Sequence, residues 1–256
     1  MPSSDSSDIQ VDVLDDDYEN CRMLIAGLRG VGKSALTNSI AGSDVQVSKG
    51  SLGSVTQKAS QIKCKRKERY LVCFDTPGLS TINDTKLVQE QYEKCLIKAA
   101  PGFHAILVVQ KAISFSDDNE NFLNKITKMF GEDLWKFVVF VFTHIDQIEE
   151  SLEKTIGKGD KRLHYWLHKC EHRYVGINNK AKGEENEKQI SKLLDVVEKM
   201  KQVNCCKIYT NEDFKKTYTM LKVAARDLKV SVQNIRDNPG KILGFTLEVL
   251  KYFNNP

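Results

Sequence analysis

The first twenty residues contain no lysine or arginine, yet they hold seven acids: Asp5, Asp8, Asp12, Asp15, Asp16, Asp17 and Glu19. A polar, serine-rich stretch of this kind cannot bury enough apolar surface to order itself, so residues 1–20 are expected to be disordered. No apolar run is long enough to span a bilayer. The start, Met-Pro-Ser-Ser, offers no apolar signal region, and Pro2 stands where N-myristoylation needs a glycine. The seven cysteines are odd in number and none has zinc-ligand spacing, which reads as free thiols in a reducing compartment. A cytoplasmic protein is expected. Without the leader the chain has 38 basic against 27 acidic residues, a net +11. That balance suits anionic ligands such as phosphates or acidic lipid, and it does not by itself imply nucleic acid.

What is present is a 256-residue chain with 41% hydrophobic residues, enough for a substantial core. Short apolar runs recur at 21–26, Tyr70–Phe74, Ala105–Val109 and Phe137–Phe142, each reading as a buried strand. Helical patterns lie between them: Leu87, Gln91, Cys95, Leu96 and Ala99, then Phe122, Leu123, Ile126 and Phe130. Strands alternating with amphipathic helices predict an α/β fold, a mostly parallel sheet with helices on both faces. Ala59–Lys65 precedes Tyr70–Phe74 across a short polar turn, so one antiparallel hairpin is expected at the sheet edge. From Glu184 the chain turns helical, with a stripe of Ile190, Leu193, Leu194, Val197 and Met200. A further helix is expected over Glu212–Val230, then a break at Pro239-Gly240. The division expected is a leader (1–20), a nucleotide domain (21–205) and a helical extension (206–256).

Gly27-Leu-Arg-Gly-Val-Gly32-Lys33-Ser34 fits the phosphate-loop pattern G-x-x-x-x-G-K-[ST], placed between a predicted strand and a predicted helix. Gly27, Gly30, Val31, Gly32 and Ala35 are the backbone contacts expected around the phosphates, where a helix N-terminus adds a favourable dipole. Lys33 reaches the β- and γ-phosphates, and the Ser34 hydroxyl ligates Mg²⁺. Asp75-Thr-Pro-Gly78 ends the strand Tyr70–Phe74. Asp75 there can hold Mg²⁺ through water, and the Gly78 N–H can reach the γ-phosphate. Between the two motifs Thr56, with Ser54 as its rival, can close over the metal and sense the γ-phosphate. Beyond the strand Phe137–Phe142 comes Thr143-His144-Ile145-Asp146. Asp146 stands where guanine-specific proteins place the Asp that accepts from guanine N1–H and the N2 amine, or it is a helix N-cap. His144 can stack on the base, and Asn178-Asn179 follow a later strand, Arg173–Ile177, on its other side.

Here the sequence resembles a family, the GIMAP group of immunity-associated GTPases with its plant avirulence-induced members. The resemblance covers roughly residues 21–205 and is carried by several pieces. They are Gly30-Val-Gly-Lys-Ser, Asn38-Ser-Ile-Ala-Gly42, Ser54-Val-Thr56, Asp75-Thr-Pro-Gly-Leu79, Phe130-Gly-Glu, Phe142-Thr-His and Cys170-Glu-His-Arg-Tyr-Val-Gly-Ile-Asn-Asn-Lys180. It implies a Ras-like fold with a helical extension, GTP and GDP binding with Mg²⁺, and nucleotide-dependent dimerisation or polymerisation at membranes. It also implies guanine reading by Asp146 and one of Asn178 or Asn179. Two departures stand out. Leu28-Arg29 replaces the family's Lys-Thr, and Ile113-Ser114-Phe115-Ser116 lacks the Arg that the resemblance implies for catalysis. Arg29 is the candidate substitute, against an outward role paired with Asp84. Leu79, where many GTPases carry a water-orienting Gln, implies slow intrinsic turnover, with Lys33 and Thr56 as the remaining catalytic candidates.

The run Lys63-Cys-Lys-Arg-Lys-Glu-Arg69 reads as a solvated hairpin edge, with a lipid or nucleic-acid patch as the alternative. The apolar segment Ile242–Phe253 is too short to cross a bilayer and suits packing, self-association or a membrane surface. Three functions are therefore in view. The leading one is a GTP-controlled homo-oligomeric switch, peripheral at an intracellular membrane and not a nucleic-acid binder. The others are a nucleotide-loaded scaffold that hardly hydrolyses, and an ATP-driven motor.

Overall fold

A computed structural model describes residues 20–42, 60–66, 68–75, 93–228 and 230–237. The expectations for the acidic leader, Ser54, Thr56, Gly78, Leu79, Asp84 as the partner of Arg29, Leu87, Gln91, Pro239-Gly240 and Ile242–Phe253 lie outside the described residues. Six strands form one sheet in the order β2-β3-β1-β4-β5-β6. They are β1 (Cys21–Gly27), β2 (Ser60–Arg66), β3 (Arg69–Asp75), β4 (Ala105–Lys111), β5 (Val138–Thr143) and β6 (Tyr174–Ile177). All neighbours run parallel except β2 and β3, the antiparallel hairpin expected at the edge. Strands β1 and β5 are buried along their whole length, which is why they read as continuous apolar runs and not as alternation.

The helices are α1 (Lys33–Ala41), α2 (helical over residues 93–99), α3 (Asp117–Phe130), α4 (Leu152–Gly157), α5 (Lys161–Lys169), α6 (Gly183–Val203), α7 (Glu212–Leu228) and α8 (Val232–Asp237). Helix α3 shows why the pattern was readable. Ser116 and Asn119 form a reciprocal capping box, three acids occupy the first turn, and Phe122, Leu123, Ile126 and Phe130 make the buried stripe. Helix α4 carries little signal, six residues with one buried side chain, whereas α5 is short but amphipathic, with Leu163, Trp166 and Leu167 buried on one face. Helix α7 covers Glu212–Leu228, close to the expected span, and α8 begins at Val232.

Alternate residues of each strand feed two cores, as the pleat requires. On one face Leu24, Phe74, Ile106, Val108 and Phe140 meet α2, α3, α5 and α7. On the other Met23, Ile25, Leu107, Val139 and Val141 meet α1 and α6. Helix α7 belongs to the first core through an aromatic group. Phe103 stacks on Tyr209 with centroids 5.1 Å apart and meets the Phe214 edge at 5.5 Å. The Tyr209 hydroxyl donates to the Phe130 carbonyl.

One expectation is corrected here. The basic run at the hairpin is not simply a solvated edge. Arg66 donates to the Ile40 and Ser39 carbonyls at the end of α1 and pairs with Glu187 at 2.7 Å, while Arg69 pairs with Asp195 at 3.1 Å. A cation bonded to the last carbonyls of a helix meets the negative end of its dipole, so Arg66 fastens the hairpin to α1. The two exposed ion pairs add little to its contact with α6.

Candidate functional site

The carboxyl ends of β1, β3, β4 and β5 converge, the place where open parallel sheets bind ligands. Gly27 ends β1 opposite Val109. A Cβ on Gly27 would sit 2.4 Å from the Val109 carbonyl oxygen, so only glycine lets the loop leave the sheet there. Gly32, at φ +91°, caps α1 without any side-chain hydrogen bond, and α1 has no acid in its first turn. Its leading N–H groups and the positive end of its dipole are thus left for an anion.

Lys33 is 8% exposed, and its Nζ donates to the Leu28 carbonyl at 2.8 Å. Burial pulls its pKa down, and the nearby Asp75 carboxylate opposes that. Asp75 is 3% exposed; burial raises its pKa, against Lys33 and the Ser34 hydrogen bond. The Ser34 hydroxyl donates to Asp75 Oδ2 at 3.2 Å. Asp75 Oδ1 is buried without a hydrogen-bond partner among the described residues. A buried carboxylate oxygen left over beside a serine hydroxyl and an ammonium fits Mg²⁺, which takes one or two protein oxygens and completes its shell with water and phosphate. Ser34 and Asp75 are thus brought together as expected. Ala35 lies exposed in the first turn of α1, and Arg29 and Gly30 are exposed at the loop tip. Among the described residues Arg29 makes no ion pair.

At the base end, Asp146 sits in a 3-10 turn, Ile145–Gln147, with His144 before it at φ 59°. The cap alternative fails, because the next helix, α4, is capped by Ser151. Instead Asp146 Oδ2 accepts from Lys180 Nζ at 2.7 Å, and this hydrogen bond first of all lowers its pKa. The two asparagines differ. Asn178 Oδ1 accepts from the Lys180 N–H at 2.9 Å and shapes its own turn. Asn179 Nδ2 donates to the Gly32 carbonyl at 3.3 Å, while its Oδ1 is buried and unpartnered among the described residues. Sequence reasoning missed Lys180 as the partner of Asp146 and Thr143 as a phosphate-loop contact. Lys180 lay in the quoted block Cys170–Lys180, but only the fold shows what its ammonium meets.

Comparison with known proteins gives the chain's family and fold. Residues 21–228 match the AIG1 family. The chain is 30% identical over 215 residues to immune-associated nucleotide-binding protein 7 of Arabidopsis thaliana, covering 81% of this chain and 68% of that protein. It is 30% identical over 184 residues to human GTPase IMAP family member 8, of which it spans 27%. Among solved structures, Toc33 from Arabidopsis thaliana as a dimerization-deficient mutant superposes with a TM-score of 0.56 at 20% identity, covering 72% of this chain and 85% of that one. Toc33 in complex with GDP and Mg²⁺ gives 0.54 at 21% identity, with coverages of 72% and 85%. At such identities the likeness is one of fold: a P-loop GTPase domain, mostly parallel with helices on both faces. A family match of this extent, laid on a sheet whose strand ends carry these loops, makes the chain a member of the AIG1 family.

Proposed function

We propose that this chain binds GTP and GDP with Mg²⁺ and works as a GTP-controlled homo-oligomeric switch. One observation carries the nucleotide reading: the buried, half-satisfied Asp75 carboxylate beside Ser34 and Lys33 at the mouth of an uncapped helix. Ser34 and Asp75 would hold the metal, which supplies charge neutralisation between the phosphates. Lys33 and the N–H groups of the first turn of α1, including that of Ala35, stabilise charge spreading onto the γ-phosphate oxygens. Thr56 and Gly78 are proposed to close from the γ-phosphate side, and Asp146 with His144 and Asn179 to hold the base. Asn178, whose side chain is engaged in its own turn, serves that loop's shape. Its place in the cell is proposed as cytoplasmic, peripheral at an intracellular membrane, on the resemblance and on the apolar segment Ile242–Phe253. Among the described residues no helix is long and apolar enough to cross a membrane.

Purified protein is expected to release guanine nucleotide on denaturation. It should run as a monomer with GDP and as a larger species with a non-hydrolysable GTP analogue. Light scattering that gives one mass in both states would sink the switch and leave the scaffold reading. That second reading has its own support, since the Arg implied for catalysis is absent near Ser114.

Arg29 is the candidate arginine finger for hydrolysis. It is exposed at the loop tip without an ion pair among the described residues, so its guanidinium is available to fold over the γ-phosphate or to cross to a second copy. If it acts as the finger, Arg29→Ala lowers turnover of the assembled protein on the order of a thousandfold and leaves GDP affinity unchanged. Single-turnover decay at low and high protein concentration reads this directly. Unchanged or faster turnover removes Arg29 from catalysis.

A further inference from the structure

Thr143 ends β5 and is fully buried. Its Oγ1 lies 2.7 Å from the Val31 carbonyl oxygen, 3.2 Å from that of Gln110 and 2.9 Å from His144 Nδ1. A hydroxyl has one proton to give and two lone pairs to receive with. Neither carbonyl can donate, and two oxygens 2.7 Å apart need the proton between them. The Thr143 proton is therefore committed to Val31, and the third contact must run the other way. His144 Nδ1 carries a hydrogen and donates it to Thr143 Oγ1, which leaves Nε2 of the neutral ring as a bare acceptor.

The same hydroxyl sets the phosphate loop. In a planar trans peptide the C=O and the following N–H point in opposite directions. Holding the Val31 carbonyl toward β5 turns the Gly32 N–H the other way. Asn179, donating to the Gly32 carbonyl at 3.3 Å, does the same for the Lys33 N–H. These two N–H groups stand at the start of α1, where an anion would lie.

We propose that Thr143 is a positioning residue. One buried hydroxyl aims the phosphate-loop amide at Gly32 and fixes the tautomer of His144 at the base end. The proposal rests on the nucleotide reading of the site. The position of the ring proton, however, is a property of the protein without ligand, so the two can fail separately.

The test is ¹⁵N-histidine spectroscopy of the full chain at about pH 8, above the ordinary imidazole range, together with the release rate of a fluorescent GDP analogue. Wild-type His144 should show a protonated Nδ1 and a bare Nε2. Thr143→Val, which keeps the shape and removes the hydroxyl, should lose that signature and release the analogue about tenfold faster. Thr143→Ser should restore both. A wild-type ring protonated at Nε2 overturns the proposal without any variant, and so decides the matter even if Thr143→Val fails to fold. A folded valine variant with unaltered ring signals and release rate overturns it equally. If no GDP analogue binds at all, the nucleotide reading falls, and the ring spectra still decide the proton's place.

Discussion

Lys33→Ala is expected to abolish tight binding of both GDP and GTP. Lys33 is 8% exposed and its ammonium donates to the Leu28 carbonyl at 2.8 Å, so its donors already point along the inside of the loop. A charged hydrogen bond in such surroundings contributes about 1.5–3 kcal/mol, and Lys33 can serve two phosphates. A loss of roughly 3 kcal/mol or more is over a hundredfold in Kd. The nucleotide-free protein should not suffer in parallel. Burial lowers the Lys33 pKa, so the folded state gains little from keeping this group charged, and alanine removes that cost. Calorimetry of nucleotide binding beside thermal unfolding of the bare protein separates the two effects. Unchanged affinity would end the phosphate-loop assignment.

Asp146→Asn is expected to move base preference from guanine toward xanthine. A carboxylate at this place accepts from both guanine donors; an amide accepts once and presents N–H₂ to the other, which suits the 2-oxo group of xanthine. GTP affinity should fall about tenfold or more, while that for xanthosine triphosphate rises. The carboxylate is presented by a 3-10 turn and accepts from Lys180 at 2.7 Å. Lys180→Ala should have a much smaller effect, because the lysine side chain is 72% exposed and such pairs contribute little. Equal competition by the two triphosphates in parent and variant would show that Asp146 does not read the base.

These two residues also mark how much the sequence disclosed. Lys33 was legible because the phosphate loop is local: eight consecutive residues between a strand and a helix carry the whole geometry. The parallel sheet was legible for a related reason, since strands buried on both faces leave unbroken apolar runs such as Val138–Phe142. Contacts between distant segments were not legible. Nothing in Arg66 or Arg69 announces Ile40, Glu187 or Asp195 as partners, so their run read as a charged edge. Lys180 and Asp146 stand 34 positions apart, and Thr143 and Val31 112 apart. Helix α4 is six residues with one buried side chain and has too little periodicity to detect, whereas α5 sets Leu163, Trp166 and Leu167 on one face at helical spacing and was legible in principle.

The aromatic group formed by Phe103, Phe130, Tyr209 and Phe214 bears on what is inherited as a unit. Phe103 precedes β4 and Phe130 closes α3, inside the part of the chain that carries the phosphate loop, whereas Tyr209 and Phe214 come from beyond α6. The Phe103–Tyr209 bridge and the stacked rings leave Phe103 and Phe214 with no exposed surface at all. Residues that fill one another's packing cannot drift independently, so selection on the sheet is also selection on α7. The family match ends at residue 228, the last residue of α7. The packed core runs past that boundary: Ile235 of α8 is fully buried in it, and Arg236 donates to the Ala100 carbonyl.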